Sequence, residues 1–221
     1  MDKELNEIVN GVLMSVNLDR YESIRDLYDI DIRYPELQTI YYEILQCITF
    51  GFYLAAITLT NHLLEQILKK LLTYHDSKSQ VRNTGEDFEF VNEIKRSADK
   101  YRENNLGKNI ELAFKAGLIT SLEKKILNEV KDDFRNAYSH AETGKLYKDE
   151  IAVIEEIKDP NILLEGRSGP KSEEFQKNLP MFEFYFIRKH AEQNCIPYIR
   201  NLITIILSSM QRLKQNEEPE K

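Results

Sequence analysis

The sequence predicts an all-α protein, an up-and-down helical bundle with an irregular insert before its C-terminal helix. Three observations predict it. Apolar residues recur at helical spacing over most of the chain. Phe52–Leu72 is hydrophobic on most of its circumference, as a helix central to a bundle should be. Thr120-Ser121-Leu122-Glu123 places a hydroxyl three residues ahead of a Glu at the head of a periodic apolar run, which is a capping box.

Taken in order, Asp2–Tyr28 reads as one or two amphipathic helices, with Leu5, Ile8, Val9, Val12 and Leu13 at helical spacing. Tyr34-Pro35 interrupts it, because the residue before a proline is pushed out of the helical region. Residues 1–34 thus form an N-terminal helical extension. A helix runs from about Glu36 to Thr49, and Gly51 marks a bend. In Phe52–Leu72 the polar exceptions Thr58, His62, Glu65 and Lys69 fall at spacings of four, three and four, so they form one narrow stripe. That stripe reads as a solvated edge with a Glu65–Lys69 pair one turn apart. His75–Asp87 is polar and turn-rich, which predicts a loop. Phe88–Tyr101 returns to helix, and Leu106–Ala116 is a short helix ended by Gly117. The helix opened by Thr120 extends to about Ala141. Gly144–Pro180 breaks the pattern and forms the insert, within which Ile151–Ile157 fits a strand and a helix equally. Met181–Leu213 is the last helix, with Ile199, Leu202, Ile203, Ile206 and Leu207 facing inward and Pro197 as a candidate kink. Residues 1–221 make one domain.

Composition bounds the function without naming it. Hydrophobic residues are 42% and charged residues 30% of 221, the balance of an ordinary globular chain able to bury a core without staples. The two cysteines, Cys47 and Cys195, sit in no metal-ligand cluster, so no metal site or disulfide framework is expected and a reducing cytoplasm is the expected compartment. Met1–Leu5 lacks the basic and apolar tandem of a signal peptide, and no run approaches the ~18 apolar residues of a membrane span. A net charge of −7 gives no general attraction to polyanions, so any nucleic acid must meet a local basic patch. No P-loop, H-E-x-x-H or G-x-S-x-G pattern is present, leaving nucleotide hydrolysis, zinc proteolysis and hydrolase chemistry without a motif.

The informative helix is Ser121–Glu142. At about 100° per residue, Leu122, Ile126, Leu127, Val130, Phe134, Ala137 and Ala141 cover one side. Arg135, Asn136, Ser139 and His140 then fall in an opposite arc of about 140°. Arg135-Asn136-Ala137-Tyr138-Ser139-His140 resembles the R-x4-H form of the HEPN motif, and Asn105–His140 is similar to that family's short helix, Gly-Leu-Ile turn and motif helix. Phe52–Leu72, with its internal Glu65, is similar to the family's central helix. The resemblance runs from about Glu36 to Ala141 and resumes at Ile196–Leu213. It implies a helical bundle, commonly a homodimer with two motifs facing each other across the interface. Many members are metal-independent ribonucleases in toxin–antitoxin, phage-defence or RNA-processing roles, and others keep the bundle as an interaction module.

The residue types fit that chemistry. Metal-free RNA cleavage deprotonates a 2′-hydroxyl for attack on phosphorus and protonates the leaving 5′-oxygen; histidine titrates near neutrality and serves either step. Arginine stays cationic and braces the phosphorane with two hydrogen bonds. His140 is thus the candidate acid/base and Arg135 the candidate transition-state clamp. Asn136 would orient the ring or bind phosphate, and Ser139 would contact substrate. RNA is the expected ligand, with an antitoxin or other protein as a possible partner; DNA, which lacks the 2′-hydroxyl, should not be cut. No cofactor is required. Glu65 either holds Arg135 or forms a surface pair. His62 and His75 read as structural. His190, in Arg188-Lys189-His190, fits a phosphate strip or, more simply, a charged helix surface. Lys95, Arg96, Lys100 and Arg102 alternate with Glu93, Asp99 and Glu103, which reads as a self-paired face. The toxin branch often carries a Tyr two residues after the motif His; Glu142 stands there, which puts modification by an antitoxin in doubt. The alternative to the enzyme is a non-catalytic HEPN-like module, with His140 as a cation at a helix C-terminus.

Overall fold

The computed structural model describes residues 18–81, 87–135, 138, 151–154, 173–176 and 180–215, without the side chains of 78–81, 87–90, 133, 135, 151–154, 173–176 and 180–186. These residues form an all-α bundle with a short strand pair in its insert. The helices are α1 (Leu18–Ile24), α2 (Pro35–Thr49), α3 (Tyr53–Val81), α4 (Asp87–Arg102), α5 (Leu106–Lys115), α6 (Ser121–Val130) and α7 (Pro180–Gln215). A 3-10 turn, Arg25–Asp29, comes directly after α1, and a π-helical turn, Lys131–Arg135, directly after α6. Among the described residues no helix is long and apolar enough to cross a membrane. The amphipathic stretch expected at Leu5–Leu13 lies outside the described residues.

Helix α3 is central, as its apolar girth predicts: it packs against α2, α4, α5, α7 and the π turn. Ile57, Leu63, Leu64, Ile67, Leu68 and Leu71 are all at most 1% exposed. Each such side chain contributes about 1.5–3 kcal/mol of apolar burial. Along the polar stripe Thr58 and His62 are exposed, while Glu65 and Lys69 are half-buried and meet at 3.1 Å. The loop expected at His75–Asp87 is corrected for its first half, because α3 runs on to Val81. Its polar residues are accommodated locally. The hydroxyls of Thr73 and Ser77 donate to carbonyls one turn back, at 2.8 and 2.7 Å, and Asp76 accepts from Lys100 and Tyr101 of α4.

Two helices end in the same way. Gly51 and Gly117 take the left-handed conformation, φ 78° and 69°, and each closes a Schellman motif. Phe52 N–H donates to Cys47 and Gly51 N–H to Ile48 at the end of α2; Leu118 donates to Ala113 and Gly117 to Phe114 at the end of α5. Pro35 is the first residue of α2, where its missing N–H costs nothing. Arg200 of α7 binds both Asp26 oxygens, at 2.6 and 2.7 Å, and the Ser23 carbonyl, tying α7 to the N-terminal turn. In the insert, Ile151–Ile154 pairs antiparallel with Glu173–Gln176, Ile151 opposite Gln176. That settles residues 151–154 as strand. Helix α7 continues through Pro197, and the thiols of Cys47 and Cys195 are free, burial pushing Cys195 up to about 12.

Candidate functional site

The segment that carries the motif begins with a well-anchored helix. Thr120 accepts from the Glu123 N–H at 3.2 Å and donates its own N–H to the Glu123 carboxylate at 2.6 Å, completing the capping box. The same carboxylate receives the Arg212 guanidinium of α7 at 2.8 Å, and Arg212 also donates to the Leu118 carbonyl. Burial alone would raise the Glu123 carboxyl, but the hydrogen bonds from Arg212 and Thr120 outweigh it and hold the group below the usual range.

The regular ladder ends at Val130. A continuous α-helix to Ala141 is the expectation, and the five residues Lys131–Arg135 depart from it as a π turn, with hydrogen bonds reaching five residues instead of four. A π turn advances less per residue than an α-helix, so the uniform 100° stepping behind the four-residue arc does not hold across it. Arg135 is the last residue of this turn, described in its backbone alone; Asn136, Ser139 and His140 lie outside the described residues. The π turn packs on α3, the helix that carries Glu65.

Two aromatic side chains fix the segment against the bundle. Phe134 lies flat on Tyr198 of α7, centroids 4.5 Å apart and planes 7° from parallel. Tyr138, one turn on, stacks on Phe134 at 6.0 Å and shares a 2.6 Å hydrogen bond with Nδ1 of His190. The His190 ring itself tilts against Phe134 at 5.7 Å. Beneath them Tyr198, 3% exposed, donates its hydroxyl to the Asn61 side-chain oxygen on α3. Burial pushes the Tyr198 phenol far up, so it stays a neutral donor. The cluster therefore joins α3, the π turn and α7 at one place.

The assignment of His190 as a charged helix surface is corrected by this geometry. Arg188 and Lys189 are exposed, but His190 is half-buried, because one more step around α7 turns it onto Phe134 and Tyr138. Its spacing to Asn194 and Tyr198, one and two turns on, was the available sign; Asn194 donates to the His190 carbonyl at 2.9 Å. His62 is exposed on the α3 edge instead of structural, and His75 is half-buried with Nδ1 3.6 Å from Asp76.

The self-paired face expected on α4 holds for Arg96 and Arg102, whereas Lys100 reaches across to Asp76 of α3. Arg96 meets Glu93 at 2.6 Å, Lys100 meets Asp76 at 2.6 Å and Arg102 meets Asp99 at 2.7 Å. A cleft of about 360 Å³ between α3 and α4 is lined in part by Lys69, Lys70, Tyr74 and Arg102. Its three cations are engaged by Glu65, Glu36 and Asp99 respectively. Among the described residues no group of three or more His, Cys, Asp and Glu side chains is placed to hold a metal ion. Comparison with family models, curated proteins and solved structures finds no match to this chain.

Proposed function

We propose that the protein is a HEPN-type, metal-independent endoribonuclease acting as a cytoplasmic homodimer, with Arg135 and His140 as its cleaving pair and a role in toxin–antitoxin or phage-defence systems. The observation that carries this reading concerns two residues of the hexapeptide: Arg135 closes a π turn packed on the central helix, and Tyr138 is bonded to α7. A helix with nothing to do but pack would gain from an unbroken ladder. π turns interrupt that ladder and recur at functional sites.

In this reading His140 takes the 2′-hydroxyl proton or returns one to the leaving 5′-oxygen, and Arg135 holds the pentacovalent phosphate. One protomer supplies one imidazole and one guanidinium. Two motifs across a two-fold axis supply both proton-transfer roles and gather two guanidiniums at one place on a chain of net charge −7. Asn136 orients the ring or binds phosphate, Ser139 contacts substrate, and Glu65 braces Arg135 from α3. The alternative is a non-catalytic HEPN-like module that binds RNA or a protein partner; the engagement of Arg96, Lys100 and Arg102 by carboxylates favours the protein partner, because these cations then offer no broad basic track to a polyanion.

The test is RNA cleavage in excess EDTA by the wild type, His140→Ala and Arg135→Ala. The expected result is 2′,3′-cyclic phosphate ends from the wild type alone, each substitution reducing the rate at least about 100-fold. A folded wild type that cuts no RNA would support the module, and cutting that survives both substitutions would remove the site assignment.

A further inference from the structure

We propose that His190 is a positioning residue for the Arg135–His140 segment: its Nδ1 and the Tyr138 hydroxyl form a latch that holds the segment after the π turn against α7. As regards cleavage, the inference rests on the ribonuclease reading; as regards the latch, it stands on geometry alone.

The backbone at Tyr138 is α-helical again, but helical hydrogen bonds run along the chain and do not attach it to α7. Side chains supply that attachment. Phe134 supplies part of it by stacking on Tyr198, a contact that resists separation but tolerates sliding and rotation of the rings. The Tyr138–His190 hydrogen bond, at 2.6 Å, is directional and fixes the motions that stacking leaves free. Its partners are 52 residues apart, one just before the insert and one on the helix just after it, so the bond also closes the base of that excursion. Tyr138 lies between Arg135 and His140 in the hexapeptide, three residues after one and two before the other, so in this proposal its anchoring governs both. A misplacement of about 1 Å in a catalytic group costs on the order of 100-fold in rate.

The chemistry of the latch provides its own control. Nδ1 is two bonds from Cβ, and so are the side-chain oxygen and nitrogen of Asn. His190→Asn thus keeps a hydrogen-bonding atom near the Nδ1 position, whereas His190→Gln carries its amide one bond further out, and His190→Ala has none. Tyr138→Phe removes the same bond from the other side while leaving the ring stack.

The experiment is amide hydrogen–deuterium exchange of the full chain, read on peptides covering 131–140 with α5 peptides as the internal reference. We expect Tyr138→Phe, His190→Ala and His190→Gln each to accelerate exchange in 131–140 several-fold. The Tyr138→Phe/His190→Ala double variant should be no faster than the singles, His190→Asn should stay near wild type, and α5 should be unchanged in all. If Tyr138→Phe exchanges like wild type, or if His190→Asn is as fast as His190→Gln, the latch is overturned and ring packing alone holds the segment. Should His190→Ala fail to fold, Tyr138→Phe and the Asn–Gln contrast decide. On RNA, kcat should fall about 10-fold in Tyr138→Phe and His190→Gln with KM unchanged, and recover in His190→Asn. Exchange changes without any wild-type cleavage would leave the latch standing and remove the ribonuclease reading. Cleavage without exchange changes would do the reverse.

Discussion

Glu123 and Arg212 are joined by a hydrogen bond and an ion-pair contact, each of 2.8 Å, and the Glu123 carboxylate simultaneously closes the capping box at Thr120. One side chain thus both starts α6 and ties it to α7. Arg212→Met should destabilise the protein by about 2 kcal/mol, since the pair is only partly buried and solvent screens some of its strength. Glu123→Ala should cost about 1 kcal/mol more than Glu123→Gln, because Gln still caps the helix. Urea unfolding of the three variants checks the order.

The same carboxylate sets an acid response. In the folded protein Glu123 is held below its ordinary value of 4.5, and Asp76 below 3.8, where bonds from Lys100 and Tyr101 outweigh burial. A depressed carboxyl stabilises the fold above its unfolded pKa and loses that contribution as pH falls through the folded value. Stability should therefore be flat from neutrality to about pH 5 and decline below it. Arg212→Met should decline less steeply in the same window, as thermal unfolding at a series of pH values would show.

Gly117 offers a test of backbone conformation isolated from packing. Its φ is 69°, and a Cβ placed there meets nothing within 4 Å. Gly117→Ala should cost about 1–2 kcal/mol from left-handed strain alone, and Gly117→Asn less. Equal unfolding midpoints for Gly117→Ala and wild type would contradict the Schellman role.

Phe134→Ala removes a ring stacked on Tyr198 and packed beside Tyr138 and His190. For a half-buried aromatic the loss should be about 2–3 kcal/mol, below the full cost of a core Phe. Phe134→Leu should recover part of it. Chemical denaturation would measure both.

If cleavage proceeds through the 2′-hydroxyl, a single 2′-deoxy substitution at the scissile nucleotide should abolish it, while the same substitution elsewhere in the strand leaves it intact. Mass spectrometry of the products would resolve the two cases.

Where a boundary depends on one residue's own chemistry, it was legible in the sequence. Gly51 and Gly117 end helices through the left-handed φ they allow, and Thr120 with Glu123 starts one through two local hydrogen bonds. The central place of α3 followed from its apolar girth. The continuation past His75 was hidden because Asp76 and Ser77 look loop-forming until their partners are known. The π turn was hidden for a different reason: Leu127, Val130, Phe134 and Tyr138 fit an unbroken α-helix equally well. His190 was hidden by its neighbours. Arg188 and Lys189 mark the chain as surface, and the spacing to Asn194 and Tyr198 tells which way His190 faces without naming a tyrosine 52 residues earlier as its partner.

The π turn has a consequence for length variation. Removing one residue anywhere else in an α-helix rotates everything beyond by about 100° and strips one flank from its partners. Within Lys131–Arg135 the chain holds one residue more than an α turn requires, so a deletion there converts the wide turn into an ordinary one and leaves both flanks facing where they did. This is the one stretch between Ser121 and Arg135 where the fold should absorb a missing codon, and its loss would be felt at Arg135 before it was felt in the bundle.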